Sequence, residues 1–142
     1  MSELFLHSDG TKEWWRDGVL HREDGPARIY SDGRRDWYKN GKYHREDGPA
    51  IEYANGAKKW YFEDRMHRED GPAYFNPIDG REYWYSHGIK HRQGGPAIID
   101  RHNDHQEWWV DGVMIDDSRI SEDLFSFGNL EIPFHDWKDD GF

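Results

Sequence analysis

The seven residues HREDGPA stand at 21–27, at 44–50 and at 67–73, and a fourth version, HRQGGPA, stands at 91–97. Their first residues lie 23, 23 and 24 positions apart. A catalytic pocket is assembled once, from convergent residues, whereas an architectural unit recurs, so a fixed period points to an array. The phrase is the visible part of a longer pattern. Seven residues before each motif histidine stands a tryptophan (Trp14, Trp37, Trp60, Trp84), followed by a second aromatic residue (Trp15, Tyr38, Tyr61, Tyr85). Three residues before the histidine is a turn residue (Gly18, Gly41, Asp64, Gly88), and four before the tryptophan is another glycine (Gly10, Gly33, Gly56, Gly80). A fifth unit, DHQEWWVDGVM, keeps Trp108, Trp109 and Gly112 but continues as IDDSRIS, so the array ends near residue 115.

Within a unit such as ARIYSDGRRDWYKNG, short runs rich in aromatic and β-branched residues are separated by Asp-Gly or Asn-Gly. That is a hairpin signal, and no run between glycines reaches the ~10–12 residues a helix needs. Each unit therefore predicts a β-hairpin. An isolated hairpin is marginal in water, so the units are expected to stack into one antiparallel array that buries the shared tryptophans. The fold class is all-β: about five tandem hairpin repeats over 1–115 forming an elongated twisted sheet, then a C-terminal capping segment over 116–142. In that segment SRISEDLFSF has the pattern of a short capped helix, and LEIPFHDW reads as an extended piece.

The motif itself reads as a structural corner. Asp bonds nearby backbone, Gly permits a left-handed φ, Pro fixes its own φ, and Ala lets neighbouring units approach. Arg22, Arg45 and Arg68 are expected to stack among Glu23, Glu46 and Glu69 as a ladder of opposite charges, with each exposed pair contributing only ~0–1 kcal/mol. The fourth copy lacks these acids: Gln93 and Gly94 replace Glu and Asp. Lys90, His91 and Arg92 then form the least acidic corner, which is either an anion site or a relaxed copy near the end of the array.

Adjacent strand residues face opposite sides of a sheet. If Trp14, Trp37, Trp60, Trp84 and Trp108 face inwards, the second column of Trp15, Tyr38, Tyr61, Tyr85 and Trp109 lies on the reverse face. In a single-layer sheet that column is partly exposed and is the candidate partner-binding surface; a sheet that curls or dimerises buries it.

The spacing W-Y-x-N-G-x-x-H-x-x-x-G-P-A, seen in WYKNGKYHREDGPA, WYFEDRMHREDGPA and WYSHGIKHRQGGPA, resembles the MORN repeat in its bacterial variant form over roughly residues 5–115. The Pro-Ala ending and the Arg-Glu-Asp run depart from the commonest form. The resemblance implies an elongated antiparallel sheet used as a docking surface for proteins or lipids. The variant form also occurs in antitoxin-like, phage and large-virus proteins, which implies inhibition of a target protein by docking. A weaker similarity to aromatic cell-wall-binding repeats implies, as an alternative, a sugar or choline group held between rings.

Composition narrows the function classes. Aromatic residues make up 16% of the chain, enough to build a small core despite a mean hydropathy of -1.18. There is no cysteine, hence no disulfide or thiol chemistry. A net charge of -10 disfavours nucleic acid and favours a protein partner with a basic surface. No apolar run has the length of a membrane span and MSELFLHSDG lacks the features of a secretory leader, so cytoplasmic residence is expected. His102, Asp104 and His105 crowd together in RHNDHQE, but residues three apart on a strand face opposite ways, so a solvated loop is the expected reading over a metal site. No nucleophile elbow, phosphate-cradling glycine loop or HExxH occurs. The sequence points to a non-enzymatic binding module without cofactor, a soluble inhibitor of a target protein. The alternative is a sponge for a small ligand, either an anionic nucleotide signal near Arg92 or a sugar or choline group. Homo-oligomers are compatible with either.

Overall fold

The computed structural model describes residues 1–115, and the expected C-terminal cap lies outside them. The first unit holds β1 (Glu3–Leu6), β2 (Lys12–Arg16) and β3 (Val19–Leu20). The second holds β4 (Arg28–Ile29), β5 (Arg35–Asp36), β6 (Tyr38–Lys39) and β7 (Lys42–Tyr43). The third holds β8 (Ile51–Glu52), β9 (Lys58–Lys59), β10 (Tyr61–Phe62) and β11 (Arg65–Met66). The fourth holds β12 (Tyr74–Asn76), β13 (Arg81–Tyr83), β14 (Tyr85–Ser86) and β15 (Ile89–Lys90), and the fifth β16 (Ile98–Asp100), β17 (His105–Val110) and β18 (Val113–Ile115).

The main sheet is an open antiparallel meander in chain order, β1-β2-β4-β5-β8-β9-β12-β13-β16-β17-β18, with β3 also paired to β2. At about 4.8 Å per strand, the two main-sheet strands of a repeat advance the array by about 10 Å. The sequence expectation of consecutive hairpins is met, with one addition: a complete unit contains two hairpins. The first, such as β8–β9, lies in the main sheet, and the second, such as β10–β11, forms a small two-stranded sheet beside it.

The tryptophan is the joint between the two. The Trp60 N–H donates to the Ala73 carbonyl of the next unit at 2.7 Å, while its own carbonyl accepts from His67 N–H at 3.1 Å. Trp14, Trp37 and Trp84 do the same with Ala27 and His21, Ala50 and His44, and Ala97 and His91. Each of these alanines is fully buried. The alanine has no exposed surface where it meets the preceding unit's tryptophan backbone, which accounts for the small residue that closes the motif.

Both turn types follow local chemistry. In the main hairpins Asp9, Asp32, Asn55 and Asp79 accept the backbone N–H two residues on, next to a left-handed glycine. In the short hairpins two consecutive residues have positive φ, as in Asn40-Gly41 (51° and 80°), the primed turn that suits strand twist. The third unit makes this turn from Glu63 and Asp64, neither of them glycine.

The apolar core is thin, with Leu20, Ile51, Ala57, Ile99 and Ile115 buried beside the alanines. Polar groups fill the rest. Asp36, wholly buried, takes a two-point bond from Arg34 at 2.8 and 3.0 Å and a third from the Tyr43 hydroxyl at 3.4 Å. Glu13 is similarly held by Arg28, at 2.6 Å.

Candidate functional site

Each letter of HREDGPA has a separate mechanical role, and together they form the loops along one edge of the array. The histidine couples units. Its Nδ1 accepts the N–H of the first left-handed residue in the next unit's short turn: Asn40 to His21 at 2.8 Å, Glu63 to His44 at 3.2 Å, His87 to His67 at 3.0 Å and Asp111 to His91 at 2.9 Å. With Nδ1 accepting, the ring proton belongs on Nε2. That atom lies 2.9 Å from Glu23 in His21 and 3.5 Å from Glu46 in His44. Burial and the neighbouring His87 hold the His67 pKa below the usual histidine value, with Glu69 opposing.

The arginine lies flat on the tryptophan of its own unit. The guanidinium carbons of Arg22, Arg45, Arg68 and Arg92 sit 3.8–3.9 Å from the ring centroids of Trp14, Trp37, Trp60 and Trp84. Nη1 donates to the carbonyl of Pro26, Pro49, Pro72 or Pro96 at 3.0–3.2 Å. Nε donates to Asp24, Asp47 and Asp70 at 3.0–3.2 Å.

Two expectations are corrected here. The arginines pair with the aspartates of their own loops, and Glu23 and Glu46 lie against histidines, so no Arg–Glu ladder forms along the motif. Gly25, Gly48, Gly71 and Gly95 are not left-handed; they are glycine because a Cβ would stand only 2.7–3.1 Å from the arginine Cζ. The stacked guanidinium occupies the room that a side chain would need.

The aromatic column proposed as a partner surface is only partly open. Trp15 is 36% exposed, whereas Tyr38, Tyr61, Tyr85 and Trp109 are half-buried. Tyr43, from the returning strand of the short hairpin, slots between two of them: its centroid is 4.4 Å from Tyr38 and 5.2 Å from Tyr61. Burial raises the hydroxyl pKa of Tyr38 and Tyr85 above the ordinary value. The Trp109 indole donates to Glu107 at 2.8 Å.

Lys90, His91 and Arg92 do not converge on one point. The Lys90 ammonium lies 4.3 Å over Trp109, His91 Nδ1 is taken by Asp111, and Arg92 stacks on Trp84 and bonds Pro96. Where its counterparts bond Asp, Arg92 has Gly94, itself left-handed with φ 86°. Desolvation holds the Arg92 pKa below the usual guanidinium value. His105 pairs with Glu107 at 3.0 Å, the His102 backbone N–H donates to Asp100 at 3.2 Å, and among the described residues no three His, Asp or Glu side chains gather as a metal site. Among the same residues, no helix is long and apolar enough to cross a membrane.

The outward side of the loops is acidic. The side chains of Glu23 and Asp24 are 65% and 85% exposed, those of Glu46 and Asp47 70% and 88%, and that of Asp70 86%. The hydrogen bond from His21 holds the Glu23 pKa below the usual carboxylate value, which keeps it charged. Between consecutive loops run open grooves whose tryptophans, Trp37 and Trp60, are stacked against Arg45 and Arg68. One of about 630 Å³ is lined by the acids Glu23, Asp24, Glu46 and Asp47 and also by Arg22, Lys39 and Arg45, and the next, of about 1000 Å³, by Glu46, Asp47, Glu69 and Asp70 together with Arg45 and Arg68. Sequence reasoning did not foresee the histidine coupling or these grooves, since both are made between units. No protein-family model matches the chain, and a search of curated proteins found no match.

Proposed function

We propose that this chain is a non-enzymatic docking protein whose loop edge engages a basic surface on a target protein and thereby inhibits it. The observation that carries this reading is the recurrence, along one edge, of exposed Glu-Asp pairs on either side of an open groove. The pairs repeat about every 10 Å, two strands apart. A partner helix with Lys or Arg at every seventh residue advances by about 10.5 Å over that interval, and a polyproline II segment with cations three residues apart, one turn, advances by about 9.3 Å. Either places a cation opposite each exposed acidic pair, with the alkyl stem in the groove between loops. The net charge of -10 would steer such a partner on approach. The inhibitory outcome accords with the resemblance to antitoxin-like repeat proteins.

The test compares the wild-type chain with the triple variant Glu23→Gln, Glu46→Gln, Glu69→Gln after incubation in cell lysate, re-isolation and native mass spectrometry. Gln keeps an oxygen near each histidine and removes three charges. An added mass of tens of kilodaltons on the wild type, lost in the variant and at high salt, supports docking through this edge. A bare chain, or capture indifferent to the three charges, refutes it.

A further inference from the structure

The opposite kind of surface closes the array at its first strand. Among the described residues β1 is the end of the main sheet, and its four residues are all exposed: Leu4 56%, Phe5 56% and Leu6 64%, with Glu3 before them. Sheet edges are commonly blunted by lysine, proline or a bulge, because unpaired N–H and C=O groups recruit another strand. Glu-Leu-Phe-Leu has none of these, and it presents apolar side chains to both faces of the sheet. Trp15, opposite Glu3 in the register, extends the apolar patch.

The hydrogen-bond parity of β1 fixes how a second strand can join. His7 N–H bonds the Thr11 carbonyl, so the alternation of an antiparallel ladder makes Phe5–Glu13 and Glu3–Trp15 the bonded pairs towards β2. Leu4 and Leu6 therefore direct their N–H and C=O groups away from β2, to the open edge. A symmetric antiparallel partner must bond through these two residues. Centring on Leu4 would set Phe5 against Glu3, and centring on Leu6 would set Phe5 against His7. Only the intermediate register, with Phe5 on the axis, aligns all the apolar residues: Leu4 with Leu6 of the second copy, Phe5 with Phe5, and Glu3 with His7. It also supplies four interstrand hydrogen bonds and continues the antiparallel sense of the array.

We infer that β1 is a self-pairing edge, through which two copies of this chain join β1 to β1 about a two-fold axis at Phe5. The occupant is a second copy because the strand complements itself in apolar pattern, Leu4 against Leu6 and Phe5 against Phe5, with Glu3 set opposite His7 rather than opposite another acid, the property of an isologous interface. The contact is small, so association is weak. Two chains of net charge -10 repel, so salt strengthens the pairing; docking to a basic partner has the opposite salt dependence.

Sedimentation equilibrium of the full chain decides it. The weight-average mass is expected to rise from 17.0 kDa towards twice that value as concentration increases. For a weak, small contact that rise is expected between about 10 µM and 1 mM, at lower concentration in higher salt. Phe5→Lys is expected to weaken the dimer at least tenfold while leaving the thermal midpoint of the monomer in place, since Phe5 is exposed. The chain has no cysteine, so Phe5→Cys is expected to give a covalent dimer on oxidation, while Lys12→Cys, one strand inside the edge, gives none. A monomer throughout that range overturns the inference. So does a dimer indifferent to Phe5→Lys, or a monomer whose Leu4 and Leu6 amides are protected from hydrogen exchange, because another segment would then hold the edge.

Discussion

Replacing Gly71 by Ala tests the account of the motif most directly, because the expected sign depends on a second residue. A Cβ at Gly71 would stand 2.7 Å from Arg68 Cζ, 2.9 Å from Nη1 and 3.0 Å from Nε, closer than real Cβ contacts run. The guanidinium would have to shift, which at most costs it its contacts with the Trp60 ring and the Pro72 carbonyl. A half-exposed cation–π contact is worth about 0.5–1 kcal/mol. A hydrogen bond from a charged donor adds about 1.5 kcal/mol, and the exposed partner Asp70 adds little. Against this, Gly→Ala at a residue outside the left-handed region stabilises by about 0.4–1 kcal/mol through the unfolded chain. The net expectation is a loss of up to about 1–2 kcal/mol.

In an Arg68→Ala background the obstruction is gone, and the same Gly71→Ala change should be neutral or stabilising by up to about 1 kcal/mol. Urea unfolding of the four members of this double-mutant cycle measures the difference, a coupling of up to about 2 kcal/mol. Gly25, where the Cβ would lie 3.1 Å from Arg22 Cζ, should show a smaller effect of the same sign. A coupling below about 0.5 kcal/mol would refute the stacked arginine as the reason for the glycine.

Acid should loosen the array. The His67 pKa is lowered in the folded chain, so the native state binds fewer protons than the unfolded one, and its contribution is complete above about 6.5 and lost as pH falls through the folded value. The thermal midpoint should fall between about pH 8 and pH 5, less so in His67→Asn, whose amide oxygen can still accept the His87 N–H; a midpoint that rises on acidification contradicts this. The Glu63-Asp64 turn combines strain with a bond, since Asp64 has φ 67° and its carboxylate accepts the Tyr43 N–H at 2.7 Å. By differential scanning fluorimetry, Asp64→Gly should therefore lie within about 0.5 kcal/mol of wild type, while Asp64→Ala, which keeps the strain and loses the bond, costs about 1–2 kcal/mol. One glycine inserted after Asn55, at the main-hairpin turn, should cost under about 1 kcal/mol, whereas the same insertion after Glu46 should cost several times more, because it displaces Arg45 from the Pro49 carbonyl.

The all-β array was legible because its signals are local: the Asp-Gly and Asn-Gly turns, the paired aromatics and the period each act within a few residues. What joins the units was not legible, because a period shows that residues recur without showing which residue of one unit meets which of the next. The histidines looked like repeated chemistry, and the structure spends them on turns 19 or 20 residues ahead. The one irregularity in the period contains the clue. Between His67 and His91 the interval grows from 23 to 24, and the distance from histidine to coupled turn grows with it, from 19 in His44–Glu63 to 20 in His67–His87. The extra residue enters the main-hairpin turn, where Gly80 N–H reaches back four residues to Asn76 while Gly56 reaches back three to Tyr53. It is absorbed at the end of the hairpin away from the motif, and the Trp–Ala and His–turn bonds keep their geometry on either side. The array tolerates variation where a turn faces solvent and holds spacing where unit meets unit, so what the seven letters preserve is the joint between repeats.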